Sequence, residues 1–140
     1  MRMVAALFLG LWLVAGLWLT LQPAHPFPGQ VVDDNLVPFH TLAIYLRNLD
    51  SEFWLRNLFG NLGLLLPLGL LGPIALPVLG RWWLILPLAL LISASIELAQ
   101  FRIPDRSADI DDVIVNVAGA LLGYLLLRAA SIFRRAPAEA

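Results

Sequence analysis

Four long apolar stretches separated by short polar interruptions set the pattern of the chain. Met3 to Leu21 contains no charged residue, and about 19 residues of helix suffice to cross a hydrocarbon core of roughly 30 Å. A charge-free run follows from Leu58 to Leu79, a third run from Trp82 to Leu98 carries only Glu97, and a fourth extends from Val113 to Phe133 with Arg128 near its end. The first run could also be read as a signal peptide, since Arg2 supplies a positive flank. No small-x-small cleavage site follows Leu21, however, and three more apolar segments do, so it reads as a span. The pattern predicts an all-α, polytopic membrane four-helix bundle, with spans of about 3–21, 58–79, 82–98 and 113–133, forming a single domain over residues 1–140.

The segment from Gln22 to Arg56 is long for a structureless connection. Residues 25–29, rich in proline, make an irregular start. Thr41 to Arg47 and Ser51 to Arg56 then mix Leu, Ile, Tyr and Trp with charges, as interfacial helices do. A short interfacial helix is expected in this first loop, with Tyr45, Phe53 and Trp54 at headgroup level.

Polar residues inside a span cost free energy, so their place on the helical wheel is informative. At 100° per residue, Ser93, Glu97 and Gln100 fall within about 60° of one another on the third helix. If the fourth helix starts ahead of its apolar run, Asp109, Asp112, Asn116, Gly119 and Gly123 share about 80° of its surface. Asn57 and Asn61 lie one turn apart at the start of the second span, on the face continued by Leu64 and Leu68. The second and fourth spans begin on the side where the third ends, so all three polar stripes should converge at one depth. Intramembrane ionisable groups usually face a bundle interior or a wet cavity. The alternative is that they are interhelical hydrogen bonds that only hold the bundle together. Gly119 and Gly123 form a G-x-x-x-G through which a neighbouring backbone can approach closely. Pro67, Pro73, Pro77 and Pro87 each remove an N–H donor and favour a kink or break.

Composition supports the membrane reading. Hydrophobic residues make up 60% and charged residues 14%, against about 45–50% and 25% in soluble domains, so the excess must face lipid. Of nine basic and ten acidic residues, only Glu97 and Arg128 fall inside the four windows, and Arg128 can snorkel to the interface. A net charge of −1 leaves no nucleic-acid footprint. The absence of cysteine removes disulfides, thiolate nucleophiles and cysteine-based zinc sites. With four spans, Arg2, Arg81, Arg128, Arg134 and Arg135 share one side against Arg47, Arg56, Arg102 and Arg106. The positive-inside rule then places both termini in the cytoplasm.

Asn57-Leu-Phe-Gly-Asn61, then Leu66-Pro67-Leu68-Gly69, then Ser93-x-x-Ile96-Glu97-x-x-Gln100 and Arg106-x-x-Asp109-x-x-Asp112-Val113-x-x-Asn116-x-x-Gly119-x-x-x-Gly123-Tyr124 together resemble the VanZ-like family of small integral membrane proteins. Asn35-Leu-Val-Pro38-Phe39 is similar to the family's short motif in the first loop, and the resemblance runs from about Asn35 to Tyr124. It departs at Leu66, where an aromatic residue often precedes Pro-Leu-Gly. The resemblance implies a multi-pass protein of the bacterial cytoplasmic membrane and cell envelope, whose namesake lowers sensitivity to the glycopeptide teicoplanin. It implies no biochemical mechanism. Carried over residue by residue, it marks Asn57, Asn61, Glu97, Gln100, Arg106, Asp109, Asp112 and Asn116 as candidate ligand-binding residues.

Three functions compete. One is a module that binds an amphiphilic envelope molecule, such as a membrane lipid, a lipid-linked precursor or a glycopeptide, with Arg102 and Arg106 meeting a phosphate or carboxylate. The second is a membrane hydrolase or transferase. In it Glu97 and Asp112 are the catalytic candidates, and Glu97, Asp109 and Asp112 would hold a divalent cation, since oxygen-rich sites suit Mg²⁺, Mn²⁺ or Ca²⁺. No cofactor other than such a cation is implied. No nucleophile signature accompanies Ser93, and neither histidine has metal-ligand spacing, which favours binding over catalysis. The third is a proton-coupled transporter with Glu97 and Asp112 as relay groups, but four spans without an inverted repeat make alternating access hard for a monomer.

Overall fold

The computed structural model describes residues 1–23, 34–103 and 106–133. The proline-rich residues 25–29 and the basic pair Arg134 and Arg135 lie outside the described residues. The described chain forms helices α1 (Arg2–Thr20), α2 (His40–Arg47), α3 (Glu52–Ala75), α4 (Trp82–Gln100) and α5 (Ile110–Phe133), with a 3-10 turn at Pro77–Gly80 between α3 and α4. The four helices other than α2 are long and apolar enough to cross a membrane. Short α2 lies in the first loop, as the mixture of apolar and charged residues there predicts.

Two boundaries differ from those read off the apolar runs. Ser51 to Arg56, expected as a second interfacial piece, is instead the start of α3. Ser51 is an extended N-cap and Glu52 pairs with Arg56 one turn on, so the helix runs unbroken through the charged residues into the apolar ones. At the other end the second span stops at Ala75 rather than Leu79. Proline disfavours helical geometry in the residue before it, and Leu76, ahead of Pro77, is extended at φ −125° and ψ 99°. Pro77–Gly80 then close into the 3-10 turn. Tyr45, expected among the headgroups, is instead buried on the inner face of α2, with its ring 5.3 Å from that of Trp54.

The most extensive packing is between α3 and α5, followed by α1 on α3 and α4 on α5. The G-x-x-x-G face makes the first contact: a Cβ added at Gly119 would run into the Leu62 carbonyl, and one at Gly123 into the Leu66 carbonyl. Gly69 of α3 meets the Ala120 carbonyl in the same way, so the two backbones interlock through glycine from both sides. Leu65, Leu68, Ile85, Ala89, Ile96, Ala120 and Tyr124 fill the core between α3, α4 and α5. Tyr124 donates its hydroxyl to the Gly80 carbonyl at 2.9 Å and so ties the middle of α5 to the α3–α4 turn.

Only Ala5 and Leu9 of α1 are buried, and the rest of this uniformly apolar helix presents a surface suited to lipid. Its specific tether is Trp12, whose indole donates to the Leu64 carbonyl at 3.0 Å. That carbonyl is next to the Gly63 carbonyl, whose usual helical donor is missing at Pro67. The indole therefore serves a carbonyl beside the freed one, not the freed one itself.

Candidate functional site

Thr20, Asn57, Asn61, Gln100, Arg106 and Asp112 come together at one end of the bundle, opposite Met1 and the end of α5. The loop segment before α2 pairs with the segment before α5 and frames this end. Asn35 N donates to the Ala108 carbonyl and Ile110 N to the Asn35 carbonyl, each at 2.9 Å, in a parallel bridge of Asn35 with Asp109. Asp109 caps α5: its Oδ1 accepts from Asp111 N and from Asn35 Nδ2, both at 2.8 Å. Glu97 Oε2 accepts the Asp109 N–H at 2.8 Å, so the end of α4 holds the start of α5.

Asp111 is fully buried, and its carboxylate accepts the amides of Phe39 and Leu42 at the start of α2. Phe39, at φ 67°, has no side chain of its own to cap that helix. A carboxylate more than sixty residues along the chain supplies the cap and the negative charge that a helix N-terminus favours. Tyr45 packs beside the same acidic group. Burial foremost, then the negative charges of Asp112, Asp109, Asp111 and Glu97, push its phenol pKa well above the ordinary tyrosine value.

Beside this frame is a cavity of about 470 Å³ between α1 and α3, closed by the end of α4 and the start of α5. Trp12, Leu19 and Leu64 form part of its apolar wall, and Asn57, Asn61, Arg56, Gln100, Arg106 and Asp112 its polar part. Phe59 and Gly60 are exposed and mark its open side. Gln100 Nε2 donates to the Thr20 carbonyl at 2.9 Å and Arg106 Nε to the Gln22 carbonyl at 3.1 Å, satisfying backbone acceptors at the end of α1. Asn57 Nδ2 turns back to the Phe53 carbonyl at 3.0 Å. Asn61 makes no side-chain hydrogen bond among the described residues, and Asp112 Oδ1 is buried without a partner.

The expected convergence thus resolves into three parts. Asn57, Asn61, Gln100, Arg106 and Asp112 line the cavity. Glu97 and Asp109 lie at the same end but outside its wall, engaged with each other through the Asp109 amide. Asn116 is a turn deeper, buried, and donates to Ser93 Oγ at 2.8 Å, an interhelical bond between α4 and α5. Among the described residues no group of three or more His, Asp or Glu is disposed to hold a metal ion, and Glu97, Asp109 and Asp112 do not form one. Sequence reasoning missed the roles of Asp111 and Trp12. Their partners lie far along the chain, and the only local sign is that Phe39 stands where α2 needs a capping residue.

Four helices of membrane-crossing length around a cleft of mixed polarity define a multi-pass membrane protein. The sequence profile of the family described as VanZ/LLP1 matches residues 6–134, and the chain belongs to that family. No curated protein and no solved structure matches it.

Proposed function

We propose that this VanZ/LLP1 protein lies in the bacterial cytoplasmic membrane with both termini in the cytoplasm, and that its cleft binds an amphiphilic or lipid-linked envelope molecule from the extracytoplasmic side. The carrying observation is the cavity, whose size falls within the roughly 300–1,000 Å³ of small-molecule sites. Its wall has an apolar side from α1 and α3 and a polar side of three amides, two guanidinium groups and a carboxylate, which matches a molecule with a chain and a headgroup. Lowered teicoplanin sensitivity, the property associated with the family's namesake, would follow if occupancy of this site changes how an envelope precursor is presented to the glycopeptide.

Native mass spectrometry of the full chain released from its own membranes tests this reading. The wild type is expected to retain an amphiphile through detergent washing, and the Asn61→Leu/Gln100→Leu double variant to lose it while remaining helical by circular dichroism. Equal retention by both, or none by the wild type, would remove the cleft as a binding site.

A further inference from the structure

The cavity places an arginine and an aspartate on one wall without joining them in an ion pair. Arg106 and Asp112 both line it, yet among the described residues the one ion pair within 4.0 Å is Arg56 with Glu52. That pair takes up the charge of Arg56, the other arginine of the wall. Arg106 is held in place through its Nε, which leaves the terminal nitrogens of its guanidinium without an acceptor among the described residues. Asp112 holds a buried carboxylate oxygen with no donor. A buried polar atom without a partner is costly, and a ligand that supplies the partner recovers that cost.

Resting on the binding reading above, we propose that the cleft selects a zwitterionic amphiphile carrying a primary ammonium group beside an anionic group, with the ammonium at Asp112 and the anion at Arg106. A purely anionic headgroup would bring a like charge against Asp112, and a purely cationic one would do so against Arg106. A quaternary ammonium carries no N–H for the Asp112 carboxylate, so a primary ammonium is preferred to it. The guanidinium fork suits a phosphate or carboxylate. Trp12, Leu19 and Leu64 receive the start of the hydrocarbon chain.

The test uses the purified full chain in mixed micelles containing equal amounts of dioleoyl phosphatidylethanolamine, phosphatidylglycerol, phosphatidylcholine and a dioleoyl trimethylammonium lipid, with retained lipid read by native mass spectrometry. Phosphatidylethanolamine is expected to exceed each of the others by about tenfold, the scale of one charge-assisted hydrogen bond. Asp112→Asn is expected to bring phosphatidylglycerol level with it, Arg106→Gln to raise the cationic lipid, and Arg106→Lys to restore the original order. Competition by soluble phosphoethanolamine would support the charge arrangement while showing that a free zwitterion suffices. Lack of competition would assign the site to the lipid form. Wild-type retention of phosphatidylglycerol equal to phosphatidylethanolamine, or an unchanged ratio in Asp112→Asn, would overturn the charge selectivity while leaving amphiphile binding intact. Retention of no lipid of any class would overturn both.

Discussion

Asp111 and Asp112 are neighbours in sequence, and one step of 100° around α5 gives them different work. Asp111 points at the start of α2 and is consumed by two amides, whereas Asp112 lines the cavity and keeps a buried oxygen without a partner. Replacing Asp111 with Ala strands the Phe39 and Leu42 amides, which costs about 1–3 kcal/mol for each donor left unpaired. Asp111→Asn, which keeps an acceptor oxygen, should lose distinctly less. Equilibrium unfolding in lipid–detergent micelles measures both, and an alanine variant as stable as the wild type would show that this cap contributes nothing. At this scale the sequence was only partly legible. The wheel brings Asp112 and Gln100 inward because helical spacing is local information, and both do line the cleft. It cannot reveal that Asp111 serves a helix in another part of the chain, or that Glu97 spends an oxygen on the Asp109 backbone.

Between elements, the α3–α5 contact is made by backbone against backbone, and glycine is what permits it. Gly119→Ala would push a methyl group into the Leu62 carbonyl, which cannot swing aside as a side chain can. A loss of about 1–3 kcal/mol is expected, as for other overpacked contacts. Gly10→Ala, on the lipid-facing surface of α1 where an added Cβ meets nothing within 4 Å, is the control and should leave stability unchanged or slightly raised. Thermal unfolding of the two variants side by side decides it, and equal midpoints would contradict the interlocked packing. The G-x-x-x-G was readable because its spacing is the signature of a face. The start of α3 was not, because charges read as the end of a span also form an i,i+4 pair that prolongs the helix. Pro77 carried the information about the end of α3, since the residue before a proline leaves helical geometry.

For the whole molecule, connectivity determines where the polar residues meet: α1 and α4 end, and α3 and α5 begin, at the same end of the bundle. This was legible from the order of the apolar runs alone, which is why the depth of the cleft could be read without coordinates. Its wall was not, because α1 has no polar stripe and contributes through its last carbonyls and through Trp12, Leu19 and small residues such as Gly16. If this end of the bundle holds an amphiphile chosen by the protein, site-specific photo-crosslinking in native membranes captures it. A photoreactive residue replacing Phe59, on the open side of the cavity, is compared with one replacing Leu91, on the exposed surface of α4. An adduct dominated by one class of amphiphile is expected at position 59, and a mixture matching bulk lipid at position 91. The same bulk mixture at both positions would contradict it.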